Sequence, residues 1–238
     1  MTEHKMTQHK MTQQPLNKYF NENVNIIEIG SDEAGRGPLF GRVYCGAVIL
    51  PKDDSFEHSR MKDSKKFNSK KKIEEVAEYI KGSAIAWSVK YADEVKIDEI
   101  NILQATQLAM HEAIIDVKKQ VMNLNNIKDD DILLLIDGNY FNKLEYFNKT
   151  SKKFVSMKYE LIKGGDNKYT SIAAASILAK TERDKYIDEL CINNPELIEN
   201  YAIDSNKGYG AKKHIDGIKQ HGITKWHRRS FGICKQFV

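Results

Sequence analysis

No long apolar run occurs anywhere in the 238 residues: nothing approaches the ~20 apolar residues a membrane span needs, and the N-terminus has no apolar core of a secretory leader. The expectation is a protein that stays inside a cell and off the membrane. Cysteine is scarce. Cys45, Cys191 and Cys234 are odd in number and far apart, so neither a disulfide framework nor a zinc cluster is indicated. A dominant charge is lacking too, because 37 Lys and Arg stand against 33 acids, and a net charge of +4 decides nothing alone.

What is present is an uneven distribution of charge. Arg60, Lys62, Lys65, Lys66, Lys70, Lys71 and Lys72 face a single acid, Asp63, within thirteen residues, and Lys207 to Lys235 holds eight Lys or Arg against Asp216 alone. Two basic stretches around a more acidic middle suggest a track for a polyanion, although any single basic run is more often a solvated face. With 41% hydrophobic residues, the chain can bury a full core as one domain, or one domain with appendages.

Residues 1–14 nearly repeat themselves (Thr2 to Met6, Thr7 to Met11, Thr12 to Gln14), a polar composition that predicts a disordered tail. The division expected is a tail over 1–20 and a folded domain over 21–238. Gln13, Leu16, Tyr19 and Phe20 are spaced like the peptide by which many replication and repair proteins hold a ring-shaped sliding clamp. One helical turn would gather Leu16, Tyr19 and Phe20 into an apolar plug; the plainer alternative is that Tyr19 and Phe20 pack back on the domain.

Val24, Ile26, Ile27 and Ile29 predict a buried strand running into Ile29-Gly30-Ser31-Asp32-Glu33-Ala34-Gly35-Arg36-Gly37-Pro38. Neighbouring strand residues point to opposite faces, so Asp32 and Glu33 share one groove only if the chain turns there. In Gly35-Arg36-Gly37 the missing Cβ atoms let a ligand near the backbone, and Arg36 is free to fork onto a phosphate. A solvated loop is the bland reading of this stretch; an anionic polymer or a cation would each fit it.

Further along, the pattern predicts strands over 42–50, 84–91 and 154–163, and helices over 68–81, capped by Ser69, over 100–121 and over 211–220. The short connection between the first two strands favours an antiparallel start. Ile132 to Ile136 is unbroken apolar sequence, the mark of a parallel strand covered on both faces, which delivers Asp137 to a ligand crevice. Asp166 precedes Ser171 to Lys180, a helix so rich in alanine that it must lie tight on the sheet; as its N-cap Asp166 would be unremarkable. Asp32, Glu33, Asp137 and Asp166 thus come to strand ends or a helix start with no His/Cys cluster to replace them. Converging carboxylates raise one another's pKa unless divalent cations neutralise them, and oxygen-only ligation selects Mg²⁺ or Mn²⁺, two of which can cleave a phosphodiester.

Gly30-Ser31-Asp32-Glu33-Ala34-Gly35-Arg36-Gly37-Pro38, Asp63-Ser64-Lys65-Lys66, Leu135-Ile136-Asp137-Gly138, Gly165-Asp166-Asn167-Lys168 through Lys180, Gly208-Tyr209-Gly210 and His227-Arg228-Arg229-Ser230-Phe231 together resemble the type 2 ribonucleases H, most closely the ribonuclease HII family. The resemblance implies an α/β, RNase H-like fold: a mixed five-stranded sheet flanked by helices, with a helical C-terminal portion. It implies that Asp32, Glu33, Asp137 and Asp166 bind two divalent ions and catalyse, that Gly35, Arg36 and Gly37 sense the 2′-hydroxyl, and that Tyr209 stacks on the sugar after the ribonucleotide. By the same likeness Lys65 and Arg228 touch phosphates. The activity implied is cleavage of RNA in RNA:DNA hybrids and incision 5′ to single ribonucleotides in duplex DNA, leaving 3′-hydroxyl and 5′-phosphate ends, by a monomer serving replication and repair. Ser31, where an aliphatic residue is usual, and the repetitive tail depart from the family pattern without touching the acids. A hybrid-binding protein without catalysis is disfavoured by the four intact acids, and another nuclease of the same fold by the Gly-Arg-Gly loop and Tyr209.

Overall fold

Alternating and unbroken apolar runs build one mixed sheet that helices cover on both faces. In the computed structural model, which describes residues 15–122, 127–148 and 151–238, β1 (Ile27–Ala34) pairs antiparallel with β2 (Val43–Ile49). Helix α1 (Lys70–Ser83) follows, with the Ser69 hydroxyl accepting from Lys72 N–H, and leads into β3 (Ala86–Ala92), antiparallel to β2. Helix α2 (Glu94–Met122) breaks at Asn101, whose φ of 66° interrupts the spiral and whose side chain accepts from Gln104 N–H to restart it. The parallel strands come next: β4 (Ile132–Asp137) lies beside β1, β5 (Glu145–Asn148) and β6 (Lys153–Ser156) form a separate hairpin, and β7 (Lys158–Ile162) pairs with β4. Sheet order is β3-β2-β1-β4-β7. The C-terminal part is helical: α3 (Thr170–Asn193), α4 (Glu196–Tyr201), α5 (Ile203–Asn206) and α6 (Lys212–His221).

The apolar residues sort by face. Ile29, Cys45, Ala47, Ile49 and Ile136 pack against Ala109, Ala113, Ile114 and Val117 of α2, while Val48 packs with Ala173, Ala174, Ile177 and the inner face of α1 on the other side. Helix α3 can sit that close only because the strands carry glycine beneath it. A Cβ at Gly30 would lie 2.3 Å from the Ser171 backbone, and one at Gly46 2.4 Å from the Ala175 carbonyl oxygen. The alanine run therefore meets bare backbone, and α3 spans the middle of the molecule.

Several boundaries differ from the sequence reading. Val24 is 72% exposed and the first strand begins at Ile27, running through both acids to Ala34 with no turn between them. The run over 154–163 is two strands broken at Met157, whose buried side chain belongs to the α2-side core while the strands on either side pair with different partners. Residues 15–20 are part of the fold. Asn17 bridges Tyr169, Lys18 C=O accepts from the Thr170 hydroxyl, and the N–H groups of Phe20 and Asn21 donate to buried Glu28. The expected helical plug is thus an extended strap, because its backbone finds partners on the domain: Leu16 packs toward the α1 core, Tyr19 lies edge-on to His58 and Phe20 against Tyr169. Gln13 lies outside the described residues. Among the described residues no helix is long and apolar enough to cross a membrane, and all three cysteines are buried and free.

Candidate active site

β1 carries Asp32 and Glu33 to the rim of the sheet without a turn between them. They point to opposite faces. Asp32 shares its face with Gly30 under α3, where Ser176 lowers its pKa slightly; Glu33 also reaches the α2 side, beside Thr106 and Met110. The parallel register Ser31↔Ile136 sets Asp137, the last residue of β4, level with Asp32. Asp166 sits in a short 3-10 turn, Gly165–Asn167, ahead of α3, and is not the helix N-cap. That turn is tied to β4 by Gly165 N–H donating to Asp137 Oδ1 at 2.6 Å.

The four carboxylates share one field. Burial, then the charges of Glu33 and Asp137, hold Asp32 well above the usual carboxylate range. Glu33 is raised by burial and by Asp137, against the pull of Arg36; Asp166 is raised by burial, by Asp63 and by Asp137. One oxygen of each is hydrogen-bonded: Asp32 Oδ1 with Glu33 N–H, Glu33 Oε1 with Arg36, Asp137 Oδ1 with Gly165 N–H, and Asp166 Oδ1 with Asn167. Among the described residues no three His, Cys, Asp or Glu side chains stand in a grouping that could hold an ion as they are. Each acid leans on its own donor instead. In donor chemistry the set fits a hard divalent cation: oxygen only, negative, and destabilised by its own proximity.

Glu33 and Asp137 open on a groove, with Asp32 and Asp166 buried behind it. One cleft of about 430 Å³ is lined by Glu33, Gly35, Arg36, Lys65, Lys180 and Tyr209, among others, and a second of about 380 Å³ continues past Glu33 and Arg36 to Asp137 and Tyr140. Lys65 is exposed on the cleft wall and makes no ion pair among the described residues. Tyr209 is 51% exposed, its ring 5.9 Å from the Arg183 guanidinium. Gly35 has φ +92°, and a Cβ there would strike Arg183 Nε at 2.2 Å, so both the turn and the close approach require glycine.

Two expectations change here. Arg36 is not free, since its Nη1 lies 3.1 Å from Glu33 Oε1. Arg228 is fully buried and is not placed to touch a phosphate. Its Nε donates to Gly41 C=O, Nη1 to the carbonyls of Arg36 and Pro38, and Nη2 to Gly35 C=O, at 2.6–2.9 Å. Arg228 holds the glycine loop from beneath, and the basic tail read as an outer surface is partly a core. Missed by sequence reasoning are Ser176, Lys180 and Arg183, which line the cleft from one face of α3; their i, i+4, i+7 spacing was the available signal.

A sequence model of the family described as Ribonuclease HII matches residues 29–234. The chain belongs to the ribonuclease HII family. The protein of that name from Phocaeicola vulgatus is 42% identical over 211 residues, 89% of this chain and 92% of its own. Among solved structures, Bst-RNase HIII in complex with Mn²⁺ matches with TM-score 0.67 at 16% identity, over 89% of this chain and 69% of that one. The PCNA:RNase HII complex from Archaeoglobus fulgidus matches with TM-score 0.61 at 21% identity, over 87% and 96%. These two support the RNase H-like fold. Membership makes the chain an endoribonuclease of the RNase H class, and the four acids are this ribonuclease HII chain's candidate catalytic set.

Proposed function

We propose that this ribonuclease HII uses Asp32, Glu33, Asp137 and Asp166 to hold divalent cations, Mg²⁺ or Mn²⁺, two during turnover. On this reading it cuts RNA in RNA:DNA hybrids and incises 5′ to single ribonucleotides in duplex DNA, leaving 3′-hydroxyl and 5′-phosphate ends, in ribonucleotide and primer removal. The observation that carries this is the shared field of four acids from β1, β4 and the turn before α3, two of which, Glu33 and Asp137, line adjoining clefts, the first of them with Lys65 and Tyr209 on its wall. Bound cations supply an activated water and neutralise charge on the phosphodiester. The chain's own residues do the rest. Lys65 meets a backbone phosphate, Tyr209 offers a ring face to a sugar, and the Gly35-Arg36-Gly37 backbone, held by Arg228, comes near enough to sense a 2′-hydroxyl. A sliding clamp is a proposed partner too; docking through Leu16, Tyr19 and Phe20 requires the strap to leave Glu28 and Thr170.

The test offers one duplex with a lone ribonucleotide and one uniform RNA:DNA hybrid, with Mg²⁺ or Mn²⁺, and maps the ends. Metal-dependent nicking 5′ to the ribonucleotide is the expected result. Cleavage that survives chelation, or that persists in Asp137→Asn, overturns the reading.

A further inference from the structure

Behind Tyr209 lies a buried polar chain that the proposed chemistry does not use. The carbonyl of Tyr209 accepts from Ala211 N–H and lies 2.9 Å from His214 Nδ1. A carbonyl only accepts, so His214 carries its proton on Nδ1 and leaves Nε2 as an acceptor. At the far end, Thr224 N–H donates to His227 Nδ1 at 2.9 Å, which puts the His227 proton on Nε2. The two Nε2 atoms are 3.0 Å apart, and these tautomers make His227 the donor and His214 the acceptor. Directed bonds therefore run from Thr224 through His227 and His214 to the Tyr209 peptide.

The same segment grips the glycine loop. His227 bridges Phe40, Arg228 N–H donates to Leu39 C=O, Leu39 N–H donates to Gly208 C=O, and the Arg228 guanidinium holds the carbonyls of Gly35, Arg36 and Pro38. Both imidazoles are buried, at 0% and 1% exposure, against the rings of Phe40 and Tyr201. Plain core filling is the competing explanation. Apolar side chains would fill that volume with no polar group to desolvate, but they could not deliver a directional bond to one carbonyl.

We propose that His214 and His227 are positioning residues that hold Tyr209 in register with the Gly35-Arg36-Gly37 loop, so that preference for a ribonucleotide–deoxyribonucleotide junction depends on this buried pair. The inference rests on the function proposed above, in which Tyr209 and the loop read the junction.

The test compares the full chain with His214→Leu, His214→Asn, Tyr209→Ala and the double variant Tyr209→Ala/His214→Leu. Its readout is the ratio of kcat/KM on a single-ribonucleotide duplex to that on a uniform hybrid. His214→Leu should lower the ratio about tenfold, as should Tyr209→Ala, and the double variant no further, because coupled residues do not add. His214→Asn, whose amide can still donate to the Tyr209 carbonyl, should recover most of the loss. An unchanged ratio in folded His214→Leu, or losses that multiply in the double variant, overturns the proposal. Since His214→Leu can fail to fold, imidazole ¹⁵N shifts of the unsubstituted chain at neutral pH decide independently. His214 protonated on Nδ1 and His227 on Nε2 support the arrangement; the opposite tautomers overturn it. An enzyme that nicks neither duplex sinks the proposed function, while the tautomers still decide whether the pair holds Tyr209.

Discussion

Asp32 is a carboxylate that the fold works against: it is 5% exposed, and burial and two neighbouring acids raise its pKa. A raised pKa in the folded state means that the ionised form costs stability at neutral pH. Asp32→Asn is therefore expected to abolish cleavage while raising stability by about 0.5–2 kcal/mol, the range of other stabilising changes. A urea-unfolding midpoint beside a nicking assay checks both halves. Arg228 is the opposite case, a buried cation the fold depends on. Burial and the Arg183 guanidinium press its pKa down to about 9, against Glu94 and Asp98, which leaves it charged at neutral pH and bonded to four carbonyls. Lysine carries a compact ammonium where arginine has a planar fork. Arg228→Lys should thus lose roughly 1–3 kcal/mol for each carbonyl left without a donor, read by urea unfolding. The motif around both residues was legible from residue types and spacing. That one arginine faces inward was not, because exposure depends on what packs over it.

At the scale of elements, helix α3 against β1 and β2 positions the most. Its fit is steric, with Gly30 and Gly46 under Ser171 and Ala175. Gly46→Val should overpack this contact and cost at least about 1–3 kcal/mol. Gly82→Ala near the end of α1, where nothing lies within 4 Å of the new methyl, should instead gain about 0.4–1 kcal/mol. Thermal unfolding of the two variants side by side checks the contrast. The alanine run made the close packing of α3 readable in advance, because only small side chains let backbones approach. The break at Met157 was not readable, since apolar residues continue through it and only the different partners of β6 and β7 separate them. The sequence of 15–20 likewise leaves a plug and a packed-back segment both open, its backbone partners being more than a hundred residues away at Lys168 and Thr170.

Across the whole molecule, the C-terminal helical part and the sheet are joined by the segment that includes His227, and this joint should answer to acid. Burial, then His214, pulls the His227 pKa down to about 3 in the folded chain, against 6.5 as its ordinary value. The unfolded chain binds the proton first, so this contribution is complete above about pH 6.5 and is lost as pH falls toward 3. Asp32, Glu33 and Asp166 act in the opposite sense, because protonation removes charges that burial and then mutual repulsion disfavour. The difference between the parent and His227→Gln isolates the histidine: the parent's urea midpoint should drop more steeply over that interval, and parallel curves would count against a buried neutral pair. Residue chemistry in one dimension was enough to name the four candidate acids, the glycine loop and the buried parallel strand, since these follow from side-chain type and local periodicity. Which acids feel one another, which arginine holds the loop and which peptide the imidazoles reach depended on the folded chain. Those are contacts between residues up to two hundred positions apart, and no local pattern records the distance that packing brings to hydrogen-bond length.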